Sequence, residues 1–276
     1  MENPLKQYFR VPGAFVKLPS NGRFYSVPPK LSSEGELAIY PMTAEDELWL
    51  KNPDALLNGE ASKRIIQSCA PDIANPEETV LADADVIIVS ARFATYGEGL
   101  TVTSECPSCK ENTEYSFKLP DILASVKQIP DDNSIQIGEL QVFVKPTTVD
   151  LQAKIGLASL QYRMLINKVA EEKQELLEDR QKEMIQSFSH NITTLQFEIL
   201  RENIEKIVMP DGNHVSSKDH IKEWLSNIKK VEFDALNTKI EQLNESGTDI
   251  AYKAECQACS HKYDTSIAMD PVSFFA

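Results

Sequence analysis

The sequence predicts an α+β protein, in which a small mixed N-terminal domain and two β-hairpins accompany an inserted, mostly helical bundle. Three observations lead to this fold class. Short alternating segments and apolar stretches of helical length both occur in the first hundred residues. Two Cys-x-x-Cys pairs stand in matching strand contexts far apart in the chain. Between these pairs, apolar residues recur at spacings of three and four, which is typical of helices.

Residues 1–100 form the predicted N-terminal domain. Two short strands, Phe15–Leu18 and Glu36–Tyr40, are bounded by the turn sequences "PSNG" and "PPKLSSEG". Proline, glycine and asparagine favour turns because they fix or widen the accessible backbone angles. Three helices follow, one starting after Thr43, one over Glu60–Cys69 and one over Asp83–Tyr96.

The ends of two of these helices have recognisable signals. Thr43 is the predicted N-cap of the first helix, because its hydroxyl can accept from a backbone N–H and acidic residues follow it. Gly97 ends the third helix. That helix is apolar on nearly every side, so we expect it to form the buried centre of the domain.

The region 119–248 is the predicted helical insertion. It opens with one strand in "GELQVFVKPTTVD" and a helix capped by Thr147 or Thr148. The helix has one apolar stripe, formed by Leu151, Ile155, Ala158, Tyr162, Leu165 and Val169. The stripe thins over the charged stretch "EEKQELLEDRQKEM", which is interpreted as a solvated helix, with a partner-binding coiled segment as the alternative.

The second half of this insertion contains three more predicted helices and one hairpin. In "VMPDGNHV" the Asp-Gly pair supplies the positive φ angles that a tight hairpin turn needs. The first helix is marked by Phe197, Leu200, Ile204 and Ile207, the second by Ile221, Trp224, Leu225 and Ile228, and the third by Phe233, Leu236, Ile240 and Leu243.

Charge and hydropathy narrow the classes of partner. The 276 residues include 42 acidic and 28 basic side chains, giving a net charge of −14. Nucleic-acid binding draws its affinity from Lys and Arg on phosphates, so we expect no nucleic-acid partner. The polar start of the chain predicts no export signal. The longest mostly apolar run, Val86–Ala94, is too short to span a bilayer, so no membrane partner is expected.

The four paired cysteines are the strongest chemical signal in the chain. "ECPSCKENTEYSF" and "ECQACSHKYDTSI" align with each other, and a strand with alternating side chains precedes each. Two thiolates separated by two residues can hold one ion at tetrahedral angles, and a second pair completes a closed site. Structural zinc is therefore the predicted cofactor, with four ligands, Cys106, Cys109, Cys256 and Cys259.

The ribbon around this site is split, with halves at residues 101–118 and 249–270, because 146 residues separate Cys109 from Cys256. A redox pair is the rival interpretation, but it calls for a βαβ unit that the sequence lacks. His261 stands close to Cys259 and is a weaker ligand candidate, since four thiolates already satisfy zinc. Cys69 ends an apolar helix and is interpreted as a buried thiol.

The sequence indicates no enzyme. A site of four thiolates leaves no open position for water or substrate. The chain has no HExxH, GxSxG or phosphate-binding glycine-rich motif. No catalytic or cofactor-binding residue other than the metal ligands is therefore assigned.

An ordered set of motifs in the first 110 residues resembles a known family. "LPSNGRFY", "GELAIYPMTAEDELWLKNPDALLNGEA", "ARFATYGEG" and "CPSC" follow one another between Leu18 and Cys109. Together they are similar to the baseplate hub assembly proteins of T-even-like contractile-tailed bacteriophages. The second cysteine pair and the closing "DPVSFFA" extend the resemblance.

The resemblance implies a viral protein that acts in the host cytoplasm while the tail baseplate hub is built. Its partners would be other hub or tape-measure proteins, which it would serve as a chaperone or scaffold. The alternative is a structural subunit of the hub that stays in the virion. Neither the client nor the oligomeric state follows from the sequence.

Residues 271–276 form a short aromatic tail that contains Phe274 and Phe275. Two adjacent aromatic side chains at a terminus are costly to leave in water. We expect them to cover the protein's own core near the cysteines, and insertion into a partner is the alternative.

Overall fold

The computed structural model describes residues 3–50, 59–171, 196–248, 251–267 and 274–275. The chain divides into two compact units, Met1–Ile129 with Ser246–Ala276, and Pro130–Glu245. The second unit is therefore an insertion within the sequence of the first. Helices and small antiparallel sheets occur in both units, which confirms the α+β class.

The strands and helices follow one another in a mixed order along the chain. They are β1 (Ala14–Val16), β2 (Leu37–Ile39), α1 (Ala44–Leu50), α2 (Glu60–Cys69), α3 (Leu81–Tyr96), β3 (Gly99–Glu105), β4 (Asn112–Lys118), α4 (Leu119–Ala124), β5 (Ser134–Ile137), β6 (Leu140–Val144), α5 (Val149–Glu171), β7 (Ile204–Val208), β8 (His214–Val215), α6 (Lys218–Leu225), α7 (Lys230–Asn244), β9 (Ala251–Glu255) and β10 (Lys262–Ser266). Residues 196–203 are also helical.

Helix α3 is the centre of the first unit, as the sequence predicted. Nine of its sixteen residues are buried, including both polar and apolar side chains. Helix α2 and strands β1 and β2 pack against it. Gly13 lies so close to the helix that a Cβ there would stand 2.8 Å from the Cβ of Ala94. The chain before β1 can approach α3 because this position has no side chain.

Helix α1 begins as the sequence predicted. The hydroxyl of Thr43 accepts from the N–H of Asp46 at 3.2 Å, and the carboxylate of Asp46 accepts from the N–H of Thr43 at 2.9 Å. This reciprocal pair satisfies two backbone donors at the helix start. Gly97, with φ of 86°, ends α3, again as predicted.

The segment "LPSNGRFY" is a turn built around one buried carboxylate. Asp83 of α3 is fully buried and accepts from the N–H of Ser20 at 2.9 Å, from the Ser20 hydroxyl and from the Tyr25 hydroxyl at 2.8 Å. Arg23 donates to the carbonyls of Ser20 at 3.0 Å and of Ile129 at 2.7 Å. The motif is therefore architectural, because its polar groups fix the turn to the central helix.

The second unit contains a four-stranded antiparallel sheet in the order β5-β6-β7-β8. Strands β5 and β6 are joined by a tight turn in which Gly138 has a φ of 58°. Helix α7 packs near β5. The side-chain amide of Asn203 donates to the backbone carbonyl of Lys145 at 2.9 Å, and the backbone carbonyl of Asn203 accepts from the N–H of Lys145 at 2.7 Å. These two bonds fix the chain entering β7 to the chain leaving β6.

Several predicted elements of this unit are present. The hairpin over "VMPDGNHV" has Gly212 at a φ of 83°, and α6 and α7 carry the predicted apolar residues inward at Ile221 and Leu236. Thr148, one of the two predicted caps, accepts from the N–H of Leu151 at 3.3 Å and starts α5. The charged stretch at residues 171–184 lies almost wholly outside the described residues, so neither of its interpretations is addressed.

Two helices are shorter than the periodicity predicts: α6 ends at Leu225, so Ile228 lies outside it, and the helix before β7 also ends early. Helical structure ends at residue 203, and Ile204 and Ile207 lie in strand β7, where both are buried. Isoleucine residues three apart fit a helix face, but β-branched side chains also favour a strand that a neighbour can pair with. Strand β6 supplies that neighbour, through pairs such as Val142 with Ile207.

Within the described residues, no helix combines the length and the apolar character needed to cross a membrane. At the C-terminus, Phe274 is 1% exposed and its carbonyl accepts from the guanidinium of Arg92. The Arg92 guanidinium also lies over the Phe274 ring, 5.6 Å from its centroid. The burial of Phe274 favours a tail that covers the protein's own core.

Candidate metal centre

Two β-hairpins of the first unit carry the paired cysteines. Strands β3 and β4 pair from Gly99 opposite Lys118 to Glu105 opposite Asn112. Strands β9 and β10 pair up to Glu255 opposite Lys262. Alternating side chains and β-branched or aromatic residues favour both hairpins. Each Cys-x-x-Cys sequence forms the turn at the tip of its hairpin.

The first turn is closed by two backbone hydrogen bonds. The N–H of Cys106 donates to the carbonyl of Glu111 at 2.9 Å, and the N–H of Lys110 donates to the carbonyl of Cys106 at 2.9 Å. Lys110 adopts a φ of 64°, which few residues other than glycine adopt without strain. This left-handed residue turns the chain back into β4.

The second turn repeats the first. The N–H of Cys256 donates to the carbonyl of His261 at 2.9 Å, and the N–H of Ser260 donates to the carbonyl of Cys256 at 2.9 Å. Ser260 has a φ of 57°. The two halves therefore share one backbone geometry, which the matching sequences indicated.

Aromatic side chains hold the two hairpins together beneath the cysteines. The ring of Tyr252 lies 5.5 Å from that of Tyr115 and 4.7 Å from that of Phe117, the latter edge-on. The Tyr115 hydroxyl donates to the carbonyl of Glu255 at 3.0 Å. Edge-to-face aromatic pairs stabilise a fold by more than the burial of their apolar area alone. The sequence showed an aromatic residue in the strand after each pair, but Tyr252, which makes these contacts, stands in the strand before the second pair.

The four sulfur atoms converge at the hairpin tips. Cys106 Sγ lies 3.8 Å from Cys259 Sγ, and Cys109 Sγ lies 3.6 Å from Cys256 Sγ. All four atoms lie within 4.8 Å of one another. A tetrahedral site with Zn–S bonds of about 2.3 Å has sulfur–sulfur separations of about 3.8 Å. The cluster therefore has the size of a four-thiolate zinc site.

The local electrostatics shift the pKa values of Cys256 and Cys109 in opposite directions. The N–H of Cys259 directed at Cys256 Sγ lowers the pKa of that thiol to about 6, despite the opposing effect of burial. At Cys109, the N–H of Glu111 acts to lower the pKa of the thiol. Hydrogen bonds with the neighbouring thiols, of which the one with Cys259 has the largest effect, outweigh it and raise the pKa to about 12. Four adjacent thiols cannot all ionise without a cation, because like charges repel. A bound dication would remove this conflict.

The remaining candidate residues lie apart from this cluster. The group of sulfurs that could hold an ion contains the four paired cysteines and not His261. His261 is exposed, its ring stacks on that of Tyr263 at 6.1 Å, and its carbonyl rather than its imidazole serves the turn. Cys69 is fully buried, as predicted, and burial raises its pKa to about 12.

The four cysteines can hold a metal ion, but they leave that ion no free coordination position for a reaction. Four sulfur donors occupy every position of a tetrahedral metal, so no position remains for water or substrate. Cys106 and Cys256 are buried, while Cys109 and Cys259 are exposed, so the cluster lies at the surface of the unit. Four close cysteines of this kind can hold a metal ion as a cross-link between two hairpins.

Comparison with known proteins places the whole assembly of motifs in one family. Residues 14–276 match the family model described as T4 bacteriophage base plate protein. No curated protein gives a significant match. No solved structure does so either. Because the match spans nearly the whole chain and both cysteine hairpins, the chain belongs to the T4 bacteriophage base plate protein family.

Proposed function

We propose that this chain is a non-enzymatic assembly factor for the baseplate hub of a contractile-tailed phage, and that one structural zinc ion stabilises its first unit. The observation that carries the functional part is the family match over residues 14–276. The family gives the chain a baseplate role, among other baseplate proteins. The proposal adds two steps to this role: the chain is an assembly factor, and it acts at the hub.

Zinc is the proposed metal because of the donor set. Four thiolates at tetrahedral separations favour zinc or iron over hard cations such as magnesium and calcium. The proposed ligands are Cys106, Cys109, Cys256 and Cys259, whose sulfurs lie within 4.8 Å of one another. Zinc supplies no redox chemistry and would act there as a cross-link.

The cross-link matters because it joins distant parts of the chain. Cys109 and Cys256, which lie in different hairpins, are separated by 146 residues in sequence. A metal that closes so long a loop removes much conformational freedom from the unfolded chain. We retain as a proposal the four-part organisation of an N-terminal domain at 1–100, a split ribbon at 101–118 and 249–270, an insertion at 119–248 and a tail at 271–276.

Two features of the chain support a protein-binding rather than a catalytic role. The proposed metal site is closed, so its ion would not contact a substrate. Large apolar side chains remain exposed in the first unit, among them Tyr8 at 77% and Leu48 at 68%. Exposed aromatic and aliphatic side chains that lie together mark surfaces where other proteins bind. We propose hub or tape-measure proteins as these partners, bound in the host cytoplasm.

Retention in the virion as a structural subunit of the hub is the second candidate, and the family's own description as a base plate protein favours it. Quantitative mass spectrometry separates the two. Peptides of this chain are compared with those of a known tail protein, in purified virions and in lysates of infected cells. An assembly factor is abundant in the lysate and depleted from virions. A constant ratio to the tail protein in both samples would contradict the assembly role and establish the subunit.

A further inference from the structure

Two close contacts among the four sulfurs of the candidate metal centre join one hairpin to the other. Cys106 Sγ lies 3.8 Å from Cys259 Sγ, and Cys109 Sγ lies 3.6 Å from Cys256 Sγ. A disulfide bond is about 2.05 Å long, so each sulfur would have to move by about 0.8–0.9 Å to form one. A small rotation of each side chain supplies such a movement. The two pairs are therefore close to the geometry of disulfides between the hairpins.

Contacts that involve no sulfur hold the two hairpins in this arrangement. The ring of Tyr252 packs on the aromatic rings of the other hairpin, as described above. The Tyr115 hydroxyl donates to the carbonyl of Glu255 at 3.0 Å, and the Tyr263 hydroxyl donates to the Ser104 hydroxyl at 3.1 Å. Because these contacts do not depend on a metal, we expect the sulfur pairs to stay opposite one another when no metal is bound.

Each pair combines one sulfur that solvent reaches with one that it does not. Cys109 and Cys259 are exposed, while their partners Cys256 and Cys106 are buried. A dissolved oxidant reacts first with an accessible sulfur, and a cysteine next to it can then complete a disulfide. The structure places such a second cysteine within 4 Å of each exposed one, on the opposite hairpin.

We propose that, once the metal is lost, a hydroperoxide converts the four cysteines into two disulfides across the hairpins, Cys106 with Cys259 and Cys109 with Cys256. These disulfides replace the metal as the cross-link of the first unit. The inference rests on the four-thiolate site proposed above and adds its regulation by oxidation.

The chemistry of each disulfide proceeds in two steps. The sulfur of the exposed cysteine attacks one oxygen of hydrogen peroxide, the O–O bond breaks, and a sulfenic acid and one water form. The sulfur of the buried partner then attacks the sulfenic sulfur, the S–S bond forms, and the S–OH oxygen leaves with the thiol proton as a second water. Two thiols thus give two electrons to one peroxide, and the two disulfides consume two peroxides.

Metal and disulfides exclude one another because they use the same sulfurs. A metal needs thiolates as ligands, and a sulfur in a disulfide is no longer a thiolate. A reducing cytoplasm keeps thiols available for the metal, whereas oxidising surroundings outside the cell favour disulfides. The two hairpins would therefore remain cross-linked in both environments.

Peptide mapping of the full-length chain tests the proposal. One sample is stripped of metal with a chelator and another keeps its metal. Both are treated with hydrogen peroxide, and free thiols are blocked before digestion with trypsin. Trypsin places the first cysteine pair in peptide 93–110 and the second in peptide 254–262, so only disulfides across the hairpins join the two peptides.

In the metal-free sample we expect these peptides to be joined by two disulfides, with the proposed pairing found on fragmentation, in a chain that runs as a monomer on a non-reducing gel. Cys69, which is buried, should stay a free thiol and serves as the internal control. The metal-bound sample should form the joined peptides at least about tenfold more slowly. Disulfides within each peptide, another pairing, disulfide-linked dimers or equal rates in the two samples would overturn the proposal.

Two double variants compare a pair across the hairpins with a pair within one hairpin. Cys106→Ser with Cys259→Ser retains one proposed pair, and Cys256→Ser with Cys259→Ser, the matched control, retains the two cysteines of the first hairpin. Each lacks two of the four ligands. We expect the first to form its disulfide at least about tenfold faster than the control, and equal or reversed rates would overturn the proposal. If either variant fails to fold, the peptide map of the wild-type chain decides.

These results separate this inference from the proposed metal site. If the chain purifies with one zinc and its metal-free form gives no disulfide across the hairpins, only this inference fails. If the chain purifies folded but without any metal, the proposed structural zinc fails, whichever disulfides the peroxide produces.

Discussion

Replacing Asp83 by alanine should destabilise the first unit, because one buried carboxylate holds the "LPSNGRFY" turn against helix α3. Asp83 is 0% exposed and accepts from the N–H and hydroxyl of Ser20 and from the hydroxyl of Tyr25. In Asp83→Ala, the N–H of Ser20 remains buried without an acceptor. An orphaned buried donor costs about 1–3 kcal/mol, and each lost hydrogen bond adds about 1 kcal/mol.

Removing the carboxylate also relieves the cost of burying it, so the net loss is smaller than the sum of its parts. We expect a fall of about 3 kcal/mol in the free energy of unfolding at neutral pH. Urea denaturation, followed by circular dichroism, measures this fall. Tyr25→Phe removes one of the three donors and is the matched control, with an expected loss of about 1 kcal/mol. Equal losses in the two variants, or a loss below 1 kcal/mol in Asp83→Ala, would refute the reasoning.

The same residue predicts a pH dependence. Burial raises the pKa of Asp83 from its ordinary value of 3.8 to about 6, although bonds from Ser20 and Tyr25 oppose the shift. Since the folded pKa lies above the unfolded one, the protonated form stabilises the fold. The contribution of protonated Asp83 to the free energy of unfolding is complete below pH 3.8 and is lost as the pH rises through about 6. The difference in unfolding free energy between wild type and Asp83→Ala should grow by about 1 kcal/mol from about pH 7 to about pH 5. A difference that shrinks over this range would contradict the assignment.

Three further predictions concern the tail and the cysteines. Phe274→Ala should lower the free energy of unfolding, measured by urea denaturation, by about 3–5 kcal/mol. Phe275 is partly exposed, so Phe275→Ala should lower it much less. Equal effects would argue against the docked tail. Lys110→Val should weaken metal binding, measured by competition with a chelator, because a β-branched residue is strained at a φ of 64°. Lys110→Gly should not weaken it. Equal metal affinities in the two variants would show that the left-handed turn does not position the ligands. Cys69 should resist iodoacetamide in the folded chain even after metal removal, since burial raises its pKa to about 12; rapid alkylation, located by peptide mass spectrometry, would contradict its burial.

Local patterns predicted most elements of the first unit correctly. Helix α2 has the predicted bounds, and α3 is buried because its apolar residues surround it on nearly all sides. These elements follow from periodicity and caps, which depend on neighbours in sequence. Strand β7 was missed, because Ile204 and Ile207 fit either a helix face or a strand and only pairing with β6 decides between them.

The cysteine spacing identified the residues of the candidate site but not its surroundings. Matching strand contexts indicated that the two pairs form halves of one site, and the structure brings their sulfurs within 4.8 Å. The aromatic contacts of Tyr252 with Tyr115 and Phe117 could not be foreseen, because they depend on how the two hairpins pack. The role of Asp83 also escaped prediction, since its partner Ser20 lies 63 residues away. An acidic residue within an apolar helix was the one signal that pointed to it.

Metal content tests most directly the claim that four distant cysteines form one structural zinc site. The full-length chain, purified without chelator, is analysed by inductively coupled plasma mass spectrometry, beside Cys106→Ser, Cys256→Ser and the control Cys69→Ala. We expect one zinc per chain in the wild type and in the control. In both serine variants we expect loss of zinc together with loss of unfolding free energy, because metal binding and folding are coupled. A wild-type chain that is folded and contains neither zinc nor another metal would contradict the claim, as would full zinc occupancy in Cys106→Ser and Cys256→Ser.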